Sequence, residues 1–387
     1  MVAGYANQES KTQLGNTSIA AAPFRYAIQL HEVVKTFKTP AGEFQALKGV
    51  NAGILEGDFV SVIGKSGSGK STLLNMITGV DKPTTGQVVI GGVDIYRMNE
   101  SKRALWRGKN LGIVFQFFQL LPMLTILENT ILPMDYCDVV PMDQRPVRAL
   151  DLLRMVGLER QAHKLPAALS SGQQQSAAIA RALANDPPII VADEPTGNLD
   201  TRAAEEVIGL FNQLVEAGKT IVIVTHDPSI TESTKRMLII SDGELIDETV
   251  VQAMPLLTHP QMLHATHLLE RFSFLPGQPI LSRCQHVDYF YMIEAGEVEV
   301  VIQKPRCEEV VAANLGQGDF FGEIELLQGG NALAQVRANS QTPVSLVAIH
   351  RKPFYDILTG SPLTEEALTR IVQARLDENK RLQRRRC

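Results

Sequence analysis

The stretch "FVSVIGKSGSGKSTLLNMI" (59–77) restricts the fold of its surroundings more than any other part of the chain. A short run, apolar nearly throughout, reads as a strand buried on both faces, and "KSTLLNMI" reads as the start of a helix. Between them, "GKSGSGKST" (64–72) fits G-x-x-x-x-G-K-[ST] in the strand–loop–helix setting that identifies a P-loop. Gly64, Gly67 and Gly69 let backbone N–H groups turn inward around phosphate oxygens, and the helix N-terminus adds its dipole. Ser66, Ser68 and Thr72 belong to the same cradle. Lys70 is placed to neutralise β- and γ-phosphates, and the Ser71 hydroxyl to ligate Mg²⁺.

Strand-like runs alternate with helical patterns from Tyr26 to about Val250, which predicts an α/β core around a parallel sheet. Residues 117–184 are mostly helical in pattern, as an inserted helical subdomain would be. Residues 1–25 are polar and without periodicity, and read as a disordered lead-in. At 387 residues, two or three domains are expected. A net charge of −5 argues against nucleic acid as the main partner. No apolar run reaches membrane-spanning length and no charged-then-apolar leader opens the sequence. The four cysteines are scattered without a CxxC pair, as in a cytosolic protein with reduced thiols.

A second apolar strand, "PIIVADEP" (188–195), ends in two carboxylates. Asp193 is positioned to hold Mg²⁺ beside Ser71, and Glu194 to polarise an attacking water as general base. With "LSSGQQQSAAIARALA" (169–184), "DEPTGNLD" (193–200) and "VTHD" (224–227) in that order, residues 26–250 resemble the ATPase subunit of an ABC transporter. Within that family, "DEPTGNLD" and "LTILEN" are similar to the subgroup that powers lipoprotein release, macrolide and peptide efflux, and septal complexes of the FtsE type.

The resemblance implies ATP and Mg²⁺ as ligands, an ATPase homodimer, and a transmembrane permease on a separate chain. It implies that Phe37 stacks on adenine, that Gln116 contacts Mg²⁺ and the attacking water, and that His226 contacts the γ-phosphate. Ser170, Gly172 and Gln173 would meet the ATP of the other subunit, and Asp200 would communicate across the dimer. Two positions depart from the family: Ser171 stands where a glycine is usual, and Ser176 where a basic residue is common. A serine at 171 fits if the backbone there has φ below zero.

After a stretch read as a linker (251–265, opening with "VQAMPLLTHPQML"), short strand patterns with turn signals take over, and "Ala295-Gly296" reads as a tight hairpin. "FLPGQPI", "YFYMIEAGEVEVVI", "LGQGDFFGEIELL" and "AQVRA" make residues 266–358 similar to the cyclic-nucleotide-binding domain of catabolite-activator-type regulators and protein kinase regulatory subunits. That family implies a β-roll, with Gly322 and Glu323 in the nucleotide pocket. Its phosphate-binding arginine, however, falls on Ala332. The expectation is a receptor-like fold that does not bind cAMP or cGMP tightly, with another small ligand open to it. Residues 359–387 form a terminal helix, N-capped by Ser361, and a basic tail.

The whole chain is therefore expected to be a P-loop α/β ATPase with a helical subdomain, fused to a C-terminal β-roll. It would work at the cytoplasmic face of the plasma (inner) membrane and energise export or lipoprotein or peptide extrusion, with the β-roll as regulator. The alternatives are a soluble ABC ATPase and a ligand-gated sensor without a transport role.

Overall fold

Strands that are apolar throughout need cover on both faces, and the chain provides it with a six-stranded sheet flanked by helices. The computed structural model describes residues 25–40, 42–303 and 309–384. The lead-in, Arg25 apart, and residues 385–387 of the basic tail lie outside them.

The central sheet runs Phe59–Ile63, Thr220–Val224, Ile189–Asp193 and Leu111–Val114 in parallel, with Val60 beside Val222 and Val191 beside Val222. Arg236–Ser241 extends it on the other side, again parallel to Phe59–Ile63. The P-loop and His226 follow, and Asp193 ends, neighbouring strands at their C-terminal edge, where open α/β sheets place their ligands. A separate antiparallel sheet pairs the long strands Tyr26–Thr39 and Gly42–Leu55 with Thr85–Ile90 and Val93–Asp94. The expected helical insertion is present: Ile126–Cys137, Arg145–Met155 and the signature helix Ser171–Ala182 pack on one another.

The stretch read as a linker is two helices, Glu248–Ala253 and His259–His267. The amide and hydroxyl of Thr258 both donate to Gln261 Oε1, closing the start of the second helix, and Pro260 occupies its first turn. Val250, Ala253, Met254, Leu257, Met262 and Leu263 are buried in one cluster that contains Ile239 and Ile246 of the ATPase together with the core of the β-roll. Arg271 adds ion pairs to Asp247 (2.8 Å) and Glu294 (3.3 Å), and His267 pairs with Glu244 at 2.7 Å. The two halves thus share a hydrophobic core.

The C-terminal domain is two four-stranded antiparallel sheets facing each other. One point differs from the sequence reading. Tyr289–Ala295 and Val298–Gln303, expected as a hairpin, do not pair: the first joins Val344–His350 and Phe320–Phe321, the second joins Glu309–Leu315 and Gln335–Ala338. The turn at Gly296 carries the chain from one sheet to the other, because the apolar faces of both strands need opposite walls of one core. The terminal helix Pro362–Arg384 then lies against the roll through Leu368 and Val372, both 3% exposed, while the neighbouring Ile371 faces solvent.

Candidate active site and the pocket of the β-roll

Gly69 shows why the P-loop needs its composition: its φ is 110°, and a Cβ there would lie 2.7 Å from the Ala46 carbonyl. The loop folds around Lys70, which is 7% exposed and donates from Nζ to the carbonyls of Gly64 (2.8 Å) and Lys65 (3.0 Å). Burial holds this amine below its ordinary value, with Glu194 and Asp193 pulling the other way. Ser66 and Gly67 are exposed, Thr72 is half-buried, and the buried Ser68 hydroxyl has no hydrogen-bond partner. An orphaned donor inside a glycine-lined cradle at a helix N-terminus fits an incoming phosphate.

Asp193 and Ser71 hydrogen-bond through their side chains, and burial raises the Asp193 carboxyl above the usual range. Two hard oxygens meeting beside a phosphate cradle fit Mg²⁺, which takes one or two protein oxygens and completes its shell with water and phosphate. Glu194 sits at the centre of a small network. Gln116 Nε2 donates to its Oε2 at 2.8 Å, and His226 Nε2 lies 3.1 Å from its Oε1. The backbone of Glu194 is in the left-handed region (φ 44°), uncommon for a residue with a side chain, and its N–H donates to the Val224 carbonyl. Phe37 is 38% exposed on its strand, with the Lys35 ammonium 4.8 Å from its ring centroid.

The signature residues stand apart from this cluster. Ser170 N-caps its helix and exchanges hydrogen bonds with Gln173, and Asp200 caps the next helix through the Ala203 amide (2.9 Å). Gly172 brings those two helices together, since a Cβ on it would lie 3.2 Å from that of Ala203. Among the described residues, no hydrogen bond or ion pair links Ser170, Gly172 or Gln173 to the P-loop. Ser171 is the first residue of the helix and is not among the positions with positive φ, so the backbone accepts a side chain there.

One residue near the site was missed in the sequence. His259, at the start of the second linker helix, lines a cleft with Gly64, Lys65, Thr225 and His226. Its Nδ1 is buried without a partner, and burial, aided by Lys65, keeps the imidazole below its ordinary value. The signal was available: the Thr258-x-x-Gln261 pattern with Pro260 marks a helix start, which would have converted a loop histidine into a fixed one.

In the β-roll, Gly322 (φ 88°) makes the turn expected of it, with a would-be Cβ only 2.7 Å from the Tyr289 carbonyl. Glu323 is 1% exposed and does not wait for a ligand. Arg375 of the terminal helix donates to its Oε1 at 2.7 Å and to the Phe320 carbonyl at 2.8 Å, and packs 4.9 Å from the Phe320 ring centroid. Burial still pushes the Glu323 carboxyl up, against the pull of Arg375. Ala332 is buried where an arginine would be expected, and Arg337 is committed to Glu299 (2.9 Å) and Glu309 (3.3 Å).

Comparison with known proteins finds a family match in each half of the chain. The ABC transporter family matches residues 47–197, and the cyclic nucleotide-binding domain family matches residues 271–361. Over 218 residues the chain is 47% identical to an uncharacterized ABC transporter ATP-binding protein of Thermotoga maritima, spanning 56% of this chain and 93% of that protein. It is 42% identical to the lipoprotein-releasing system ATP-binding protein LolD of Bacteroides fragilis, spanning 57% of this chain and all of LolD. Among solved structures it is similar to the cassette MJ0796 of Methanocaldococcus jannaschii, a dimer in a post-hydrolysis state bound to ADP and phosphate. That match has a TM-score of 0.55 at 45% identity and covers 57% of this chain and 97% of the cassette. The chain belongs to the ABC transporter ATP-binding proteins, enzymes that hydrolyse ATP, and carries behind its ATPase a domain of the cyclic nucleotide-binding family.

Proposed function

We propose that this protein hydrolyses ATP as a homodimer and drives a permease on a separate chain, in export or in lipoprotein or peptide extrusion, with the β-roll as its regulator. The observation that carries the reading is the placement of Glu194 between Gln116 and His226, beside a P-loop whose signature partner lies elsewhere on the chain. Lys70 leaves its carbonyl partners for the β- and γ-phosphates, and Phe37 offers its face to adenine. Ser71, Asp193 and Gln116 would hold Mg²⁺, which supplies charge neutralisation at the phosphate oxygens. Gln116 and His226 orient Glu194, which takes a proton from water as that water attacks the γ-phosphorus and the bond to ADP breaks. Ser170, Gly172 and Gln173 of a second copy close the site, so a lone subunit has an incomplete one.

The permease reading is supported by the segment after Gln116. Phe117 (68% exposed), Leu121 (43%) and Met123 (81%) present an apolar surface there, and Arg181 holds the segment in place by donating to the Phe118 and Gln119 carbonyls. Among the described residues, no helix is long and apolar enough to cross a membrane. A cytoplasmic position, peripheral on the inner face of the membrane, follows from this reading. Glu194→Gln is the test: it keeps ATP binding, lowers turnover by about 10²–10⁴-fold, and accumulates the ATP-bound dimer in size-exclusion chromatography. Turnover at the parent rate would remove Glu194 from the role of general base.

A further inference from the structure

Beside the Gly322–Glu323 turn the β-roll encloses a cavity of about 240 Å³, smaller than the roughly 300–1,000 Å³ usual for drug-sized ligands. Much of its wall is aliphatic, from residues such as Leu281, Val300, Leu315 and Val336. The charged side chains among its described lining are Glu323, Glu325, Glu378 and Arg375, three carboxylates against one guanidinium. That guanidinium is held by Glu323 and the Phe320 carbonyl. A backbone donor on the same wall is also engaged, since the Leu333 amide donates to Glu325 Oε1 at 3.0 Å. With Ala332 in the wall, and Arg375 and Arg337 both paired, a phosphate entering here would face carboxylates without a free counter-charge among the described residues.

We propose that this cavity binds a small monocation with an apolar body, an amine of fragment size, in place of a cyclic nucleotide; as a regulatory ligand, it rests on the reading of the β-roll as regulator. The apolar body covers the aliphatic wall, and the ammonium lies between the carboxylates of Glu325 and Glu378, which Arg375 does not neutralise, and lowers their mutual repulsion. Glu378 projects from the terminal helix, so a bound cation ties that helix more firmly to the roll.

The test is calorimetric titration of the full-length protein with 2-phenylethylamine, 2-phenylethanol and 3-phenylpropionate, three probes of similar body and different charge, and with cAMP and cGMP. The amine is expected to bind at least about tenfold more tightly than the carboxylate, with the alcohol between them and both cyclic nucleotides weaker than the amine. Ala312→Phe, which fills the cavity from its side, should abolish amine binding, with folding checked by thermal melting without probe. Glu378→Gln, a change on the helix surface, should weaken the amine several-fold and leave the alcohol unchanged. A low-micromolar cyclic nucleotide, a carboxylate that matches the amine, or an amine that fails to bind would overturn the proposal. ATP turnover in the same samples separates the two claims: amine binding without any change in turnover supports the cavity's specificity and removes the regulatory reading alone.

Discussion

The P-loop and the β-roll pocket are both built on glycine turns that aim polar groups inward, yet they are in opposite states of satisfaction. In the P-loop, the Ser68 hydroxyl lacks a partner and Lys70 is parked on its own loop's carbonyls. In the roll, Glu323 is matched by Arg375 from 52 residues further along the chain. A buried polar group left open costs free energy that only a ligand returns, whereas one closed internally stabilises the fold with no ligand at all. The same turn can therefore persist for two reasons, and the partners of its polar atoms tell them apart.

The largest expected effect sharpens the open side of this contrast. Lys70→Ala removes the main counter-charge of a buried triphosphate and should weaken ATP binding by about 30-fold or more, read by fluorescent-nucleotide titration. The melting temperature without ATP should change little, since among the described residues the hydrogen bonds of Lys70 go to its own loop. A large loss of stability without nucleotide would break the comparison.

The closed side should behave in reverse. Arg375→Met keeps the apolar stem but strands Glu323, and should cost about 1–3 kcal/mol of stability with no nucleotide present. The sign of its pH dependence follows from burial. A carboxyl raised in the folded state is protonated in both folded and unfolded forms at low pH, and its penalty grows as pH rises from the unfolded value to the raised one, then levels off. Burial already raises Glu323, and loss of Arg375 raises it further. The gap in melting temperature between parent and variant should be small at acid pH, where the carboxyl is protonated in both forms, and should widen as pH rises. A gap independent of pH would mean that Arg375 acts through packing on Phe320 and not through charge.

The smallest effect concerns the signature. Because Ser171 occupies a helical position without positive φ, a glycine there relieves no strain. Ser171→Gly should leave ATP turnover within about twofold of the parent, measured by phosphate release. A large fall would assign the hydroxyl a contact in the dimer.

Much of the ATP site was readable because its parts are local. Gly64 to Thr72 carry their own strand–loop–helix context, and Asp193 and Glu194 end a strand whose apolar run is visible in five residues. The Gly322–Glu323 turn was equally plain. The Arg375 contact was not, since nothing in the pattern of a solvent-facing helix says which arginine reaches back to a turn 52 residues earlier. The false hairpin at Ala295–Gly296 has a related cause: alternation and a glycine mark a reversal of direction, but sheet membership depends on partners at Glu309–Leu315 and Val344–His350. The prolines at 255 and 260 suggested a break, and the second of them opens a helix instead.

That helix has a consequence for how freely the two halves can be exchanged. His259 at its beginning touches the cleft beside the P-loop, and His267 at its end is fastened to Glu244. Nine residues of helix make a rod of about 13 Å, anchored along its length by Met262, Leu263 and Ala265 in the shared core. Such a joint has no slack. The roll is not an attachment on a tether, and a chain cut after Val250 would bare Met254, Leu257 and their neighbours to water. Resizing the core around Met262, Leu263 or Ala265 therefore bears on the same helix that carries His259 to the nucleotide end.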